Sequence, residues 1–376
     1  MKGNIKLIIF PVNRQLLDFL KVSIKNILIN NKVKNYKITS EKSFLVIEVK
    51  DYLQVSQWLS NCSGIKRIGI SVSTANNIKD ILDMIVCVTD RITYSRKYFK
   101  IKVFSENSMY IPRDIEFMAT GLILERLKFK NLKPTGFNRS DVTEVYCYIS
   151  SSGCYIVYKF IEGINGLPFG YLKKSIFCIC YDPYSLKSIE IISKFGFIPQ
   201  ILILYSSTNN LIKHLKCLYH VFLKMQMKQI SVKLLKIYFN FDDNISDFDE
   251  LKLIQLILSH IENVDVLIPF SFYTHPLSII DKIITFCYQK RKIPWLPFAF
   301  LDLNNNTHFF SNTHISYIFE DKDKSSLRQK PNNRLLKSGE SLNIQALNLK
   351  NIKTISFTMT SSNIRPNYID NILNSI

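Results

Sequence analysis

The stretch that decides the fold is Gly163-Ile164-Asn165-Gly166-Leu167-Pro168-Phe169-Gly170, followed by the apolar run Ser175 to Cys180. Glycine and proline are the strongest breaks in a regular pattern, so the octapeptide predicts a linker between two folded regions. Before it, the helical and β-like segments begin with the order β-α-β-β-α-β, the ferredoxin-like arrangement. After it, apolar strands alternate with helices, which predicts a doubly wound parallel sheet. The sequence therefore predicts a multidomain protein of α/β and α+β classes.

These patterns divide the chain into four predicted regions. A ferredoxin-like domain covers residues 1–75, and a second α+β domain covers residues 76–165. The doubly wound domain covers residues 171–325. Residues 326–376 form a polar tail that ends in one strand and a short helix, and the sequence does not say how this tail packs.

The charge of the chain is strongly unbalanced. Its 49 Lys and Arg residues exceed its 30 Asp and Glu residues, which gives a formal net charge of +19. Residues 1–175 hold 27 of the basic and 14 of the acidic residues, a net charge of +13. AT-rich codon usage, which raises the number of lysines, is the alternative explanation. Glutamate also has AT-rich codons, however, so this explanation does not account for the low acidic count. The imbalance favours a polyanionic partner, nucleic acid before a membrane surface.

Cysteine spacing and hydropathy exclude several classes of protein. The eight cysteines form no CxxC pair, so we expect neither a zinc ribbon nor any other metal site. Cys147 and Cys154 flank a turn, and whether they pair stays open. No run approaches the roughly 18 apolar residues of a membrane span. We therefore expect a cytoplasmic protein with no membrane partner.

The linker and its flanks resemble the tRNA 4-thiouridine synthetase (tRNA sulfurtransferase) family. In that family a GxGGLPxG linker leads into a strand that carries an SGGxDS pyrophosphatase loop, the PP-loop. Asn13-Arg14-Gln15 resembles the pair that opens the first helix of the family, and Tyr98 to Val103 resembles the basic strand of its THUMP domain. The resemblance implies an N-terminal ferredoxin-like domain, a THUMP RNA-binding domain at residues 76–165 and a PP-loop-like domain.

The pyrophosphatase loop departs from the family pattern. Aligned on the linker, it corresponds to Cys180, Tyr181, Asp182, Pro183, Tyr184 and Ser185, so that only the final serine matches. A loop that cradles phosphate needs glycine for close backbone approach, whereas this loop carries a bulky ring, a negative charge and a proline without an N–H. The sulfur-carrying cysteine of the family is also missing, because no cysteine follows Cys287. We expect no catalytic residues and no ATP cofactor.

The candidate RNA-binding residues cluster around the two N-terminal modules. Lys and Arg supply most phosphate contacts, and aromatic rings stack on unpaired bases. The candidates are Arg14, Tyr94, Arg96, Lys97, Phe99, Lys100, Lys102, Arg113 and Arg139.

Three hypotheses follow. The first is a noncatalytic protein that grips the acceptor end of tRNA, with a tRNA-modifying enzyme and a second copy of the chain as further partners. The second is a tRNA-modifying or other nucleotide-using enzyme with an altered site that employs Asp182, Ser185 or His275 and takes ATP. The third is a protein-interaction subunit without an RNA role.

Overall fold

The computed structural model of the chain describes residues 4–93, 97–106, 109–136, 141–225, 229–237, 247–270, 275–297 and 355–360. Contacts divide the chain into two compact units, Met1–Pro168 and Phe169–Ile376. The boundary lies inside the predicted linker. None of the described helices combines the length and the apolar character that crossing a membrane requires.

The first unit is an α+β structure with one sheet. Its elements, in chain order, are β1 (Ile5–Pro11), α1 (Leu17–Asn30), β2 (Lys37–Ser40), β3 (Leu45–Glu48), α2 (Tyr52–Ser60), β4 (Ile65–Thr74), α3 (Ile78–Ile92), β5 (Tyr98–Ser105), α4 (Pro112–Arg126), β6 (Lys133–Pro134), β7 (Val142–Ile149) and β8 (Cys154–Glu162). A 3₁₀ turn, Arg14–Leu16, precedes α1, and the Asn13 side chain caps it.

The strand order of this sheet is β2-β3-β1-β4-β8-β7-β5-β6. Its first four strands have the order of the ferredoxin-like fold, as the sequence predicts. Strand β4 pairs antiparallel with β8, so the same sheet continues into the second predicted module. The predicted limit at residues 75 and 76 falls between β4 and α3, within the first unit.

Helices α3 and α4 cover one face of the sheet at β5 and β7. Successive residues of a strand point to opposite faces, so Phe99, Ile101 and Val103 turn together toward these helices. They form a core with residues such as Ile115 and Ala119 of α4. The intervening residues of β5 therefore face away from α3 and α4.

The predicted linker packs against the first unit. The Gly163 N–H donates to the Lys66 carbonyl oxygen at 3.0 Å, and the Asn165 N–H donates to that of Ile65 at 3.0 Å. A Cβ atom on Gly163 would lie 2.2 Å from the Ile65 oxygen. Glycine is required there because another backbone segment passes too close for any side chain.

The described residues of the second unit form an α/β structure with one sheet. Its elements are β9 (Ser175–Cys180), α5 (Pro183–Ser193), β10 (Ile198–Tyr205), α6 (Thr208–Met225), β11 (Gln229–Lys236), α7 (Asp247–Ser259), β12 (Asp265–Leu267), α8 (Leu277–Gln289), β13 (Ile293–Trp295) and β14 (Ile355–Thr360). The strand order is β13-β12-β9-β10-β11-β14. All pairs are parallel except that of β11 with β14.

The doubly wound architecture is confirmed by the two cores on opposite faces of this sheet. Ile176, Cys178 and Cys180 of β9 pack with helices α5 and α6. Phe177 and Ile179 pack with helices α7 and α8. The tail strand that the sequence left unplaced is β14, at the edge beside β11.

Candidate nucleotide loop and RNA-binding residues

The candidate loop Cys180–Ser185 lies where β9 passes into α5. This is the carboxyl end of a central parallel strand, where open α/β sheets bind their ligands. Asp182 is the N-cap residue of α5, and Pro183 and Tyr184 form its first turn. Proline is favoured at that position because the first N–H groups of a helix have no partner within the helix.

Backbone N–H groups of the loop are bound by its own side chains. The Ser185 Oγ accepts the N–H of Tyr181 at 3.0 Å and that of Asp182 at 3.1 Å. In return, the Ser185 N–H donates to Asp182 Oδ1 at 2.6 Å. This is a capping box, in which two side chains satisfy the orphan donors at a helix start. These three donors, which could otherwise hold an anion, are therefore occupied from within the protein.

The ring of Tyr181 does not obstruct the loop, contrary to the expectation from the sequence. Tyr181 continues the alternation of Phe177 and Ile179 and enters the core beneath α7 and α8. There its hydroxyl hydrogen-bonds to Glu250 of α7. The capping interactions of Asp182 and Ser185 fill the loop instead.

His275 also contacts Glu250, which joins it to the same group of polar residues. The His275 Nε2 lies 3.6 Å from Glu250 Oε2, and the imidazole stacks on Phe270 with 4.1 Å between ring centroids. Glu250 is absent from the residues that the sequence singled out. It lies in an ordinary amphipathic helix about 70 positions from Tyr181, so no local pattern marks it.

Burial raises the pKa of the Asp182 carboxyl, although the hydrogen bonds with Ser185 act in the opposite direction. Shifted carboxyl pKa values are common in functional sites, but structural caps at the edge of a core also have them. Nearby, Lys187 and Glu190 form a buried ion pair within α5.

The cysteines of β9 are packing residues. Cys178 and Cys180 are fully buried on the face that packs with α5 and α6. Burial raises the pKa of both thiols, which disfavours the reactive thiolate.

In the first unit, Cys147 and Cys154 are free thiols whose sulfur atoms lie 3.3 Å apart. Within the part of the chain that the structure describes, no group of three or more His, Cys, Asp or Glu is placed to hold a metal ion.

Three of the RNA-binding candidates are exposed cations. Arg14 lies in the 3₁₀ turn before α1, Lys97 directly precedes β5, and Arg113 lies in the first turn of α4. Tyr94, Arg96 and Arg139 lie outside the described residues.

Phe99 was wrongly predicted to stack on a base. Its side chain is only 1% exposed and belongs to the core beneath α3 and α4. The alternation in Tyr98-Phe99-Lys100-Ile101-Lys102-Val103 contains the signal, because Phe99 shares its face with Ile101 and Val103.

Lys100 and Lys102 lie together on the opposite face of β5. The Lys100 ammonium donates to the Gly136 carbonyl oxygen at 3.0 Å. Lys102 forms a 3.0 Å ion pair with Glu144, and this hydrogen bond raises the pKa of the lysine. Lys102 is thus charged but partly neutralised. Arg113, on α4, is on the other side of the sheet, so the structure does not bring all the candidates together.

Comparisons with known proteins agree with this architecture. No protein-family model and no curated protein sequence matches the chain. The solved structure of PH1313 from Pyrococcus horikoshii Ot3 is similar with a TM-score of 0.60 at 17% identity, and the match covers 82% of this chain and 97% of that one. A 4-thiouridine synthetase in complex with RNA and ATP is similar with a TM-score of 0.61 at 13% identity, covering 78% and 81% of the two chains.

At these identities the comparisons establish the fold. The chain has the mixed α/β fold of the solved 4-thiouridine synthetase, as the resemblance implied.

Proposed function

We propose that this chain is a tRNA-binding protein that contacts RNA through its first unit and does not activate a substrate with ATP. The observation that carries the RNA part is the net charge of +13 on residues 1–175. Those residues have the fold of a synthetase whose structure contains RNA. A surface excess of Lys and Arg supplies the phosphate contacts on which RNA affinity depends.

The acceptor end of tRNA is the proposed target. It combines a short duplex with a single-stranded 3′ end, so shape, phosphates and unpaired bases can all be recognised at once. The exposed Arg14, Lys97 and Arg113 suit phosphate contacts because their side chains reach solvent. In this proposal a separate enzyme supplies any chemistry on the bound tRNA.

The loop after β9 supports the absence of ATP activation. A helix start binds phosphate through N–H groups that have no other partner. Here the N–H groups of Tyr181 and Asp182 already donate to Ser185 Oγ. The Asp182 carboxylate, which accepts the Ser185 N–H, lies at the position where phosphate charge would lie. Negative charges at such short range repel each other. Both side chains would have to move before a nucleotide could bind in this way.

A second candidate function has one observation in its favour. Tyr181, Asp182, Glu250 and His275 lie at the carboxyl end of the parallel sheet and influence one another electrostatically. Such a group could perform acid–base chemistry on a ligand held at that edge.

A tRNA titration tests the leading proposal. The ligands are full-length tRNA, an acceptor-stem minihelix with its single-stranded 3′ end, and the same minihelix without that end, each at several salt concentrations. We expect affinity to depend on the 3′ end and to fall steeply with salt, because bound phosphates release counterions. Weak binding that ignores the end and disappears at physiological salt would refute the proposal.

Nucleotide-induced stabilisation separates the two candidates. A ligand that binds only the native state raises the melting temperature. Because the leading proposal includes no ATP binding, we expect Mg²⁺–ATP to leave the melting temperature unchanged. A rise that is lost in Asp182→Ala would instead support the enzyme.

A further inference from the structure

One face of the sheet in the first unit carries aromatic side chains. These side chains come from β1, β7, β8 and the residue before β3, and they surround Ile8, Val46 and Val157. Phe44, Tyr148 and Tyr155 are buried within this cluster, whereas Phe10, Tyr146 and Phe160 are half-buried. We call this cluster the aromatic face. Its aromatic members are Phe10, Phe44, Tyr146, Tyr148, Tyr155 and Phe160. It is the face of β5 that carries Lys100 and Lys102, because Lys102 lies 5.1 Å from the centre of the Tyr146 ring.

Arg67 of β4 lies among these rings. Its guanidinium carbon is 4.3 Å from the ring centre of Phe160, 5.0 Å from that of Phe10 and 5.9 Å from that of Tyr146. Its Nη2 donates to the Tyr148 hydroxyl at 3.1 Å. The planar guanidinium is thus fixed against aromatic surfaces, a geometry that arginine adopts and lysine cannot reproduce.

The charge of Arg67 has no counter-ion among the described residues. Glu162 is opposite Arg67 in the β4–β8 register, but the two side chains form no ion pair. The hydrogen-bond acceptor of Arg67 is a neutral phenol, since burial raises the pKa of Tyr148 to about 12. A partly buried cation without an anionic partner carries a desolvation cost. An anionic group from another molecule would offset that cost.

Phe104 contacts the same tyrosine as this arginine, Tyr148, and is open to solvent. Its ring is 45% exposed and stacks on Tyr148 with 4.9 Å between centroids and an interplanar angle of 10°. Tyr148 therefore contacts Phe104 through its ring and Arg67 through its hydroxyl. No local sequence pattern marks Arg67 or Phe104, because only the pairing of distant strands brings both of them to Tyr148.

We propose that the aromatic face binds single-stranded RNA, with one unpaired base stacked on Phe104 and a neighbouring phosphate held by Arg67. Aromatic rings and arginine planes are the usual means by which proteins bind unpaired nucleotides. The positive charges of Arg67 and of Lys100, which shares its face of β5 with Phe104, favour RNA over an apolar protein segment. This inference rests on the proposed tRNA binding, and it assigns the single-stranded 3′ end to this face.

Variants of the two residues test the assignment with the minihelices described above. Stacking on an aromatic side chain is lost on truncation to alanine, so Phe104→Ala should weaken binding of the minihelix with its 3′ end on the order of 10-fold. Its affinity for the minihelix without that end should stay unchanged. Phe104→Trp should retain the stacking and the affinity. Arg67→Gln should weaken binding and lower the salt slope by about one phosphate contact.

Phe117→Ala is the matched control. Phe117 is an 81% exposed phenylalanine on α4, on the side of the sheet that the helices cover. Removal of the Phe117 ring should leave the affinities for both minihelices unchanged. Thermal melts should show that all variants are folded.

The outcomes separate the two proposals. If the wild-type protein recognises the 3′ end and Phe104→Ala and Arg67→Gln bind as it does, the aromatic face is not the RNA site, while tRNA binding stands. An equal loss in Phe104→Ala and Phe117→Ala also overturns the assignment. If the wild-type protein does not distinguish the two minihelices, the proposed function itself fails.

Discussion

Asp182 and Ser185 cap each other: the Ser185 N–H donates to Asp182 Oδ1 at 2.6 Å, and the Asp182 N–H donates to Ser185 Oγ at 3.1 Å. This reciprocal pair closes the start of α5 at the position where the resemblance places a phosphate-binding loop. Its energetic role can be measured directly, whatever ligand the protein takes.

Ser185→Ala should destabilise the protein by about 2–3 kcal/mol. The variant leaves the N–H groups of Tyr181 and Asp182 without their acceptor near a buried strand end, and an unsatisfied buried donor costs about 1–3 kcal/mol. Urea unfolding provides the measurement. The control is Ser207→Ala, which removes an exposed hydroxyl that accepts the Asn210 N–H at 3.2 Å. We expect about 1 kcal/mol for that cap, and equal costs for the two variants would contradict the prediction.

Asp182→Asn should change the pH dependence of stability. Burial raises the folded-state pKa of Asp182 above its ordinary value of 3.8, so the folded protein binds this proton more tightly than the unfolded chain does. The protonated carboxyl therefore makes its full favourable contribution to the free energy of unfolding below pH 3.8, and this contribution is lost as the pH rises through the folded-state pKa. Asparagine also caps helices but does not titrate in this range.

We accordingly expect the free energy of unfolding of Asp182→Asn, measured relative to wild type, to increase as the pH rises from just below 4 toward neutrality. Denaturant unfolding over a series of buffers measures this difference, in which the titration of other groups cancels. A difference that does not vary with pH would show that Asp182 does not titrate in this window.

Gly163→Ala should destabilise the first unit by about 2 kcal/mol or more. The added Cβ would lie 2.2 Å from the Ile65 carbonyl oxygen, a backbone atom that cannot move without disturbing β4. Gly121→Ala is a control of opposite sign. Gly121 lies within α4 with no atom within 4 Å of an added Cβ, so alanine should stabilise that helix by about 0.5–1 kcal/mol. Thermal melting of both variants measures these changes. A Gly163→Ala variant with the melting temperature of the wild type would argue against the packed linker.

Alkylation of the native protein should modify Cys87 first. Seven of the eight cysteines are buried, whereas Cys87 in α3 is partly exposed. Cys147 and Cys154 should react slowly, because their mutual hydrogen bond and their burial raise the pKa of the Cys147 thiol. Mass spectrometry after brief iodoacetamide treatment identifies the modified residue. Cys87→Ser should abolish the fast phase, and early modification of Cys147 or Cys154 would contradict the buried pair.

The residue pattern predicted the elements well because strand and helix periodicity are local properties. Strand β9 has the predicted bounds, and the β-α-β-β-α-β order led to the ferredoxin-like strand order. Predicted bounds were less accurate where no break residue marks them. The pattern predicts that the helix after Asn76 ends at Val86, but α3 extends to Ile92. It also predicts a strand from Val232, whereas β11 begins at Gln229. Sequence also gave no indication that the two N-terminal modules share one sheet, since the β4–β8 pairing joins segments about 90 residues apart.

By itself, the sequence determined the two classes of architecture, the concentration of positive charge in the N-terminal half and the absence of glycine from the loop after β9. Each of these depends on residue type and short-range spacing. Only the tertiary structure decided that Phe104 stacks on Tyr148, that Tyr181 contacts Glu250, and that Arg67 lies among rings from three other strands. These relationships depend on strand register and on contacts between distant segments, which no local pattern encodes.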